Sequence, residues 1–402
     1  MSDLQISEIY KAQQVLQDVA RHPKLVGPTT LSPDCQVYLK PENLQHTGSF
    51  KLRGAYYKIS QLSDEEKARG VIACSAGNHA QGVALGAKHN GIKAIICLPA
   101  GAPISKIEAT KALGAEVCLV PGVYDDAYQK AIELRDEKGY TFVHPFDDPL
   151  VIAGQGTIGL EIIEEMPDVE AIVVPVGGGG LISGLAFVVK TLRPDIKVYG
   201  VQAEGAPSME LSVKKGEAIR LDSVSTIADG IAVKEPGVNT LDMCRKYVDD
   251  IVTVSDDEIS AAILALIEKQ KLVAEGAGAT PVAAVMAGKL PVEGKKVVCL
   301  VSGGNIDVTI LNRVIARGLR KGGRMSTLII KLDDKPCQLS IATNIIGQLG
   351  GNIYSVVHER AHDSNSINGC DLHVELETRN HEHIDEICAA LREAGFSVSI
   401  SK

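Results

Sequence analysis

The sequence is poor in aromatic residues, basic clusters and long apolar runs. Aromatic residues make up 4% of the chain and tryptophan is missing, which leaves few rings for stacking on nucleic-acid bases. The formal net charge is −9 and no basic run is present, so binding to a phosphate backbone is disfavoured. No apolar stretch is long enough to cross a bilayer. We therefore expect a small-molecule ligand, and neither a nucleic-acid nor a membrane partner.

The nine cysteines include no Cys-x-x-Cys pair. They are scattered between Cys35 and Cys388, which favours reduced thiols over a disulfide framework or a zinc site. The first eleven residues have neither the basic nor the apolar segment that is typical of a secretion signal. We therefore expect a cytoplasmic protein.

At 402 residues the chain is too long for one compact core. Between residues 71 and 317, short β-branched runs alternate with segments that carry apolar residues at spacings of three and four. This alternation predicts parallel strands with crossover helices, and so a doubly wound α/β fold. The predicted strands are residues 71–74, 94–98, 116–120, 171–176, 197–201 and 296–302, and the predicted helices are residues 104–113, 150–165, 182–192 and 257–271.

The pattern changes near residue 320. A polar segment with two glycines predicts a linker at residues 321–325, which separates a domain of residues 1–320 from one of residues 326–402. The sequence of residues 326–402 predicts the order strand, helix, strand, strand, helix and strand, which is that of a ferredoxin-like βαββαβ unit. These elements are predicted at residues 327–331, 338–349, 353–358, 371–377, 383–394 and 396–400.

One lysine is distinguished by its neighbours. Lys51 lies within TGSFKLRGA at residues 47–55, where small residues leave room for a flat ligand and Phe50 adjoins the ammonium group. A desolvated lysine loses its proton more readily and can then form a Schiff base with an aldehyde. Because most lysines are solvated surface charges, this interpretation depends on the other motifs.

A short turn follows the predicted strand at residues 71–74 and precedes a helix that contains residues 81–87. A junction of this kind presents free backbone N–H groups and the positive end of a helix dipole, which suit an anion such as a substrate carboxylate. An ordinary capped turn is the alternative. The residues of the turn are Ser75, Ala76, Gly77, Asn78 and His79.

Four glycines follow the predicted strand at residues 171–176. Such a run is costly in chain entropy, whereas N–H groups without side chains can converge on a phosphate at a helix N-terminus. A dinucleotide-binding turn is the rival, with Glu204 as the ribose-binding acid, but the third glycine of that pattern falls on Ile182 or Ser183. The run and its next residue are Gly177, Gly178, Gly179, Gly180 and Leu181.

Together these motifs resemble the threonine dehydratases (threonine ammonia-lyases) of the fold type II pyridoxal-phosphate family. The resemblance implies a tryptophan synthase β-like fold, with a smaller subdomain at about residues 53–150 inserted in a larger one. It also implies a homodimer or homotetramer. The resemblance spans about residues 5–318 and is carried by residues 47–55, 75–82, 153–157, 177–181, 228–230 and 302–305.

The resemblance also implies a role for each motif. Lys51 would form the Schiff base with pyridoxal phosphate and later act as the general base. The run from Gly177 to Leu181 would hold the cofactor phosphate, Asn78 the phenolic oxygen and Ser302 the pyridine nitrogen. The turn at residues 75–79 would bind the substrate carboxylate. The expected reaction is the deamination of L-threonine to 2-oxobutanoate and of L-serine to pyruvate.

Three alternatives remain open. Serine racemases share nearly all these motifs but carry a serine acid/base where this chain has Ala76, so we expect elimination without efficient racemisation. A β-replacement synthase is a second alternative. The third is an inactive amino-acid sensor, against which the intact Lys51, Asn78, Ser302 and glycine run argue.

Two further sites are expected from the resemblance. Family members bind a cation, for which Glu204, Ser208 and Glu210 could supply hard oxygen ligands, although a solvated acidic loop is an equal alternative. The second domain resembles an ACT domain, an amino-acid-sensing module. Isoleucine or valine is the expected effector, and the expected effector residues are Gly350, Gly351, Asn352 and Ile353.

Overall fold

The structure, a computed structural model, describes residues 4–360 and 369–401. It contains two compact units, of which the first ends at Ile306 and the second begins at Asp307. The linker expected at residues 321–325 begins at the last residue of the helix Val308–Lys321, which belongs to the second unit, and ends at Met325, the first residue of a strand. The linker itself stays a prediction.

The first unit alternates strands and helices along the chain. Its strands are β1 (Val26–Thr29), β2 (Gln36–Pro41), β3 (Val71–Cys74), β4 (Ala94–Pro99), β5 (Glu116–Val120), β6 (Thr141–Phe142), β7 (Ala171–Pro175), β8 (Lys197–Ala203), β9 (Asp250–Val254) and β10 (Lys296–Val301). Its α-helices are α1 (Ile6–Leu16), α2 (Lys51–Ser60), α3 (Asp64–Arg69), α4 (Asn78–His89), α5 (Ile104–Ala112), α6 (Tyr124–Lys138), α7 (Pro149–Glu165), α8 (Gly180–Leu192), α9 (Ser208–Lys215), α10 (Val238–Tyr247), α11 (Asp256–Ala265) and α12 (Gly276–Met286). A π-helical segment at Leu266–Gln270 follows α11.

Two sheets organise the first unit. The larger has the order β1-β2-β10-β7-β8-β9, in which only β1 is antiparallel to its neighbour, and the smaller has the order β5-β4-β3-β6 with all strands parallel. Strands β3 and β7 are buried along their whole length, as expected for parallel strands covered on both faces. The predicted doubly wound α/β fold is confirmed.

The loops of interest leave the carboxyl ends of buried strands. The turn of residues 75–77 joins β3 to α4, the glycine run joins β7 to α8, and Ser302 directly follows β10. In open α/β sheets this edge is where ligands bind. The fold therefore gathers the turn, the glycine run and Ser302 on the side of the sheets where a ligand site is expected.

Glycines allow the helices behind these loops to pack closely. A Cβ at Gly184 on α8 would lie 2.2 Å from the carbonyl oxygen of Ile152 on α7. A Cβ at Gly82 on α4 would lie 3.0 Å from the carbonyl oxygen of Lys51 on α2. These close contacts fix the first turns of α8 and α4, which carry the two predicted anion-binding motifs.

The second unit begins with a helix that the sequence analysis placed in the first domain, and after it has the predicted order of strands and helices. It contains α13 (Val308–Lys321), β11 (Met325–Asp333), α14 (Gln338–Gln348), β12 (Asn352–Glu359), β13 (Gly369–Glu377), α15 (His381–Glu393) and β14 (Ser397–Ile400). The sheet is antiparallel with the order β12-β13-β11-β14, and α14 and α15 contribute buried residues to its core. This arrangement confirms the ferredoxin-like fold.

Two other sequence expectations can be compared with the structure. All nine cysteines are free thiols in the structure. In the part of the chain that the structure describes, no helix combines the length and hydropathy that a membrane span requires.

Candidate active site

A cleft of about 820 Å³ lies in the first unit. Its lining includes the start of α2, the loops after β3, β7 and β10, and residues 144–147 and 229–238. Every residue that the sequence predicts for catalysis or for cofactor and substrate binding lines it. These residues are Phe50, Lys51, Ser75, Ala76, Gly77, Asn78, His79, Gly177, Gly178, Gly179, Gly180, Leu181 and Ser302.

Lys51 is the first residue of α2, and its side chain lies in the cleft. The Nζ atom donates a hydrogen bond to the carbonyl oxygen of Pro145 at 2.9 Å and lies 5.2 Å from the centroid of the Phe50 ring. Burial disfavours the charged ammonium and lowers the pKa of Lys51 to about 8, although the negative charge of Glu275 opposes the shift. The neutral amine, which is the nucleophilic form, is therefore accessible near physiological pH.

The turn after β3 borders open space. The Gly77 N–H donates a hydrogen bond to Ser75 Oγ at 3.1 Å, and helix α4 begins at Asn78. A Cβ placed on Gly77 would meet no atom within 4 Å. The backbone at Gly77 therefore faces a volume that a small ligand could fill, at the positive end of a helix dipole.

Two histidines in the cleft wall are held neutral. His79 Nε2 donates a hydrogen bond to the carbonyl oxygen of Val143 at 2.8 Å, and burial together with the charge of Lys51 lowers the pKa of His79 to about 3. His144 Nδ1 accepts hydrogen bonds from the backbone N–H groups of Phe146 and Asp147 at 3.2 and 2.8 Å. Burial also lowers the pKa of His144. These contacts indicate a mainly structural role for both side chains.

The glycine run is tightly packed on the side that faces the protein. A Cβ at Gly178 would lie 2.5 Å from ring atoms of Phe146, and one at Gly180 would lie 2.7 Å from the Phe146 carbonyl oxygen. Gly179 adopts φ +95°, which side chains disfavour, and Thr240 Oγ1 donates to the Gly178 carbonyl oxygen at 2.6 Å. Glycine is therefore required in this run for two reasons, namely the expected phosphate binding and the close packing against Phe146.

A chain of side-chain hydrogen bonds crosses the cleft floor. Asn305 Nδ2 donates to Asn78 Oδ1 at 2.7 Å, and Asn78 Nδ2 donates to Glu275 Oε1 at 2.7 Å. Glu275 is 4% exposed, and burial is the main reason that its pKa rises to about 7. The sequence analysis did not identify Glu275, because no motif marks it and its partner Asn78 is 197 residues away.

Ser302 lies beside the start of α2. It is 2% exposed, and its carbonyl oxygen accepts a hydrogen bond from the Phe50 N–H at 3.1 Å. This contact holds the segment after β10 next to Lys51. The Ser302 side chain, which lines the cleft, is therefore close in space to the lysine that precedes it by 251 positions.

The lining residues fit pyridoxal phosphate. Lys51 offers an amine of lowered pKa to the aldehyde, and the N-terminus of α8 offers a glycine-rich loop with a helix dipole to the phosphate. Asn78 offers a side-chain N–H donor to the phenolic oxygen. The volume of about 820 Å³ is within the usual range of small-molecule sites.

The residues expected to bind a cation are engaged with other groups. Glu204 Oε1 lies 3.4 Å from Lys289 Nζ, and Glu210 Oε1 lies 2.5 Å from Lys214 Nζ. The Ser208 hydroxyl is buried and donates to the Val233 carbonyl oxygen at 2.7 Å. The described residues contain no cluster of three or more acidic, histidine or cysteine ligands, and a cation at this place stays a prediction.

The residues expected to bind an effector form the turn between α14 and β12. Gly350 has φ +84°, and the Gly351 N–H donates to the Ile346 carbonyl oxygen at 3.0 Å, so both complete the end of the helix. Asn352 Nδ2 donates to Glu377 Oε2 at 2.7 Å, and Ile353 packs against the core of the second unit. Effector binding at this turn stays a prediction.

Comparison with known proteins identifies the family. The family model described as "Pyridoxal-phosphate dependent enzyme" matches residues 23–303, a range that contains every lining residue discussed above except Asn305. The chain belongs to this family. Within this pyridoxal-phosphate-dependent family, the L-threonine ammonia-lyase of Thermotoga maritima is 50% identical over 397 residues, which cover 98% of this chain and 99% of that protein.

Solved structures of the same family superpose on most of the chain. The processed form of threonine deaminase isoform 2 from Solanum lycopersicum is 40% identical, with a TM-score of 0.75 over 79% of this chain and 89% of its own. Maize serine racemase is 34% identical, with a TM-score of 0.73 over 79% of this chain and 98% of its own. Fold alone therefore does not separate deamination from racemisation in this family.

Proposed function

We propose that this pyridoxal-phosphate-dependent enzyme deaminates L-threonine to 2-oxobutanoate and ammonia, and L-serine to pyruvate and ammonia. The observation that carries the proposal is that Lys51, with a pKa lowered to about 8, shares one cleft with the glycine run and the turn after β3. The 50% identity to a threonine ammonia-lyase over nearly the full length of both chains supports the substrate class.

Lys51 is proposed to bond to the cofactor and, once the substrate displaces it, to remove the Cα proton. The bound cofactor withdraws electrons from the substrate Cα and so lowers the barrier to breaking the Cα–H bond. The released amine is a suitable base because its lowered pKa places it near neutral pH. Pro145, whose carbonyl accepts from Nζ, helps to orient the amine.

The turn of residues 75–79 is proposed to bind the substrate carboxylate. Gly77 borders open space, and the first N–H groups of α4 have no earlier helical partners. Binding there would leave the β-hydroxyl free to depart as water, with the proton that Lys51 takes from Cα balancing the proton that the departing hydroxyl gains. The resulting enamine tautomerises to an imine, which takes up water and releases ammonia, so no net water is produced or consumed.

Ser302 is proposed to meet the pyridine nitrogen. A serine hydroxyl can donate to a neutral nitrogen, whereas an aspartate would hold that nitrogen protonated. A neutral ring stabilises a carbanion less well, which favours prompt loss of the β-hydroxyl. This argument supports elimination over reactions that need a long-lived carbanion.

Racemisation is the main alternative, and Ala76 argues against it. Racemisation needs a proton donor on the face of the substrate opposite Lys51, and the Ala76 methyl group cannot supply one. Ala76 lines the cleft directly before Gly77. We therefore expect 2-oxo acid formation without rapid D-serine formation.

The test is a product assay on the purified, cofactor-loaded protein. L-Threonine should yield 2-oxobutanoate, L-serine should yield pyruvate, and chiral chromatography should detect little D-serine. Rapid D-serine formation would favour a racemase, and a product that depends on added sulfide would favour β-replacement. Absence of 2-oxo acid from both substrates would overturn the proposal.

The second unit is proposed to bind an amino-acid effector at Gly350, Gly351, Asn352 and Ile353. Its ferredoxin-like βαββαβ fold and the turn before β12 support this reading. Isoleucine and valine are the candidate effectors, and a homodimer or homotetramer is the expected assembly. An activity assay over a titration with each amino acid tests the proposal, and a flat response to both would contradict it.

A further inference from the structure

Glu275 is a buried acid that the proposed chemistry does not use. It directly precedes α12, is 4% exposed and lines the cleft. Its backbone N–H donates to the Gly303 carbonyl oxygen at 3.0 Å, which ties it to the segment that carries Ser302. Burying a carboxylate is costly unless its oxygens receive hydrogen bonds, so its retention here calls for a physical reason.

The hydrogen bonds on either side of Asn78 determine which way its amide faces. The carbonyl oxygen of Thr47 can only accept, so the Asn305 side chain must turn its Nδ2 toward it, at 2.7 Å. The same Nδ2 donates to Asn78 Oδ1 at 2.7 Å. Asn78 Nδ2 then faces Glu275 Oε1, an oxygen that accepts when the carboxyl is ionised and also when the other oxygen carries the proton. Both ends of the chain of bonds thus favour one orientation of the Asn78 amide.

Two glycines leave room for the side chains at the two ends of this hydrogen-bonded series. A Cβ at Gly303 would lie 2.4 Å from Glu275 Oε1 and 3.2 Å from Asn78 Nδ2. A Cβ at Gly48, which has φ +69°, would lie 2.4 Å from Asn305 Oδ1. The approach of the three side chains therefore depends on two positions where any larger residue would collide with them.

We propose that Glu275, together with Asn305, is a positioning residue that holds the Asn78 amide with an N–H directed at the phenolic oxygen of the cofactor. Asn78 Nδ2 carries two hydrogens, and among the described residues its one recorded acceptor is Glu275. The second hydrogen is thus left for a ligand. This inference rests on cofactor binding in the proposed function, but it does not depend on which amino acid reacts.

The test is a pH titration of the long-wavelength absorbance of the bound cofactor in Glu275→Ala and Glu275→Gln. Both variants remove the charge, but glutamine keeps an oxygen that accepts from Asn78. Because a hydrogen bond to the phenolate favours its ionised form, its loss raises the pKa of that oxygen. The pH at the midpoint of the absorbance change should be about 0.5–1 unit higher in Glu275→Ala than in Glu275→Gln. The Glu275→Ala variant should also bind pyridoxal phosphate several-fold more weakly than Glu275→Gln does.

The same pair in an Asn78→Ala background tests whether Glu275 acts through Asn78. In proteins that carry Asn78→Ala, the titration midpoints of Glu275→Ala and Glu275→Gln should coincide, because residue 275 no longer has the Asn78 amide to orient. Equal midpoints in the unmodified background, or a difference that persists with Asn78→Ala, would overturn the proposal.

Asn305→Ala provides a test if Glu275→Ala fails to fold. It changes no charge, so its midpoint should rise above that of the unmodified protein, whereas Asn90→Ala at the far end of α4 should leave the midpoint unchanged. An Asn305→Ala midpoint equal to that of the unmodified protein would overturn the proposal. Failure of the proposed deamination would be seen separately, as a cofactor-bound protein that forms no 2-oxo acid.

Discussion

At the scale of single residues, the pKa of Lys51 governs how the protein captures its cofactor. Burial lowers that pKa to about 8, and the neutral amine is the form that attacks an aldehyde. The rate at which the cofactor-free protein binds pyridoxal phosphate should therefore rise with pH and level off above a midpoint near 8. Stopped-flow absorbance over a series of pH values measures this rate.

Two variants serve as controls for this rate. Lys51→Ala should not develop the cofactor absorbance, whereas Lys58→Ala should retain it, because Lys58 lies on the same helix but pairs with Asp148 at 2.9 Å outside the cleft. A rate that keeps rising to pH 10, as for a solvated lysine, would contradict the lowered pKa.

Two glycines of the cleft should respond differently to the same substitution. Gly178→Ala places a methyl group against the Phe146 ring and should both lower the melting temperature and weaken cofactor binding. Gly77→Ala meets no protein atom within 4 Å, so it should lower the melting temperature less while raising KM for threonine. Thermal unfolding and steady-state kinetics separate the two effects, and an unchanged KM in Gly77→Ala would argue against carboxylate binding at this turn.

At the scale of elements, a buried ionic network joins α2 to α7. Arg53 on α2 is fully buried, and its Nη2 atom lies 2.7 Å from Glu42 Oε1. Its Nη1 atom lies 2.5 Å from Glu161 Oε1 on α7, and Lys40 pairs with the second oxygen of Glu161 at 2.7 Å. Burial opposes ionisation of Glu161, but the His22 hydrogen bond and the Arg53 charge outweigh it and lower its pKa. The network anchors the helix that begins with Lys51.

Removing the arginine of this network should destabilise the first unit. Arg53→Met leaves two buried carboxylates with too few cationic partners, and we expect the free energy of unfolding to fall by about 3–5 kcal/mol. Denaturant unfolding measures the loss. Arg69→Met is the control, because Arg69 is exposed on α3 and its Nε atom donates to the Gly139 carbonyl oxygen at 2.8 Å, with no buried carboxylate as partner among the described residues. Equal unfolding midpoints in the two variants would contradict this account of the network.

Sequence periodicity predicted the strands that are continuous apolar runs better than the other strands. Strands such as β3 and β7 are continuous apolar runs between helices, and such runs are specific to covered parallel strands. Strands β1, β2, β6 and β9 were not predicted, of which β6 has two residues and β2 lies between β1 and β10 in the larger sheet. Strand β1 contains glycine and proline, and β9 is a partly exposed edge strand, so neither shows that pattern.

The parts of the site carried by local motifs could be predicted from the sequence, whereas the contacts between them could not. Lys51, the turn after β3 and the glycine run each have a local signature, and all line one cleft. Glu275 has none, because its position depends on a hydrogen bond to Asn78 and on the absence of a side chain at Gly303. These contacts join residues that are far apart in the sequence, so they become visible only in the tertiary structure.

At the scale of the whole molecule, the second unit is the candidate for regulation. If isoleucine or valine binds at the turn before β12, Asn352→Ala should shift the concentration at which it acts and leave the uninhibited kcat unchanged, because Asn352 lies outside the catalytic unit. Activity measured over an effector titration in both proteins tests this. An identical response in the two proteins would place the effector elsewhere.

The central claim is that one particular amine in the first unit bonds to pyridoxal phosphate. Reduction of the cofactor-loaded protein with borohydride, followed by peptide mass spectrometry, locates the bond directly. We predict a phosphopyridoxyl group on Lys51 alone. Two other lysines line the cleft: Lys106, whose Nζ lies 2.6 Å from Asp229 Oδ2, and Lys234. A group on either of them, or no modified lysine at all, would contradict the claim.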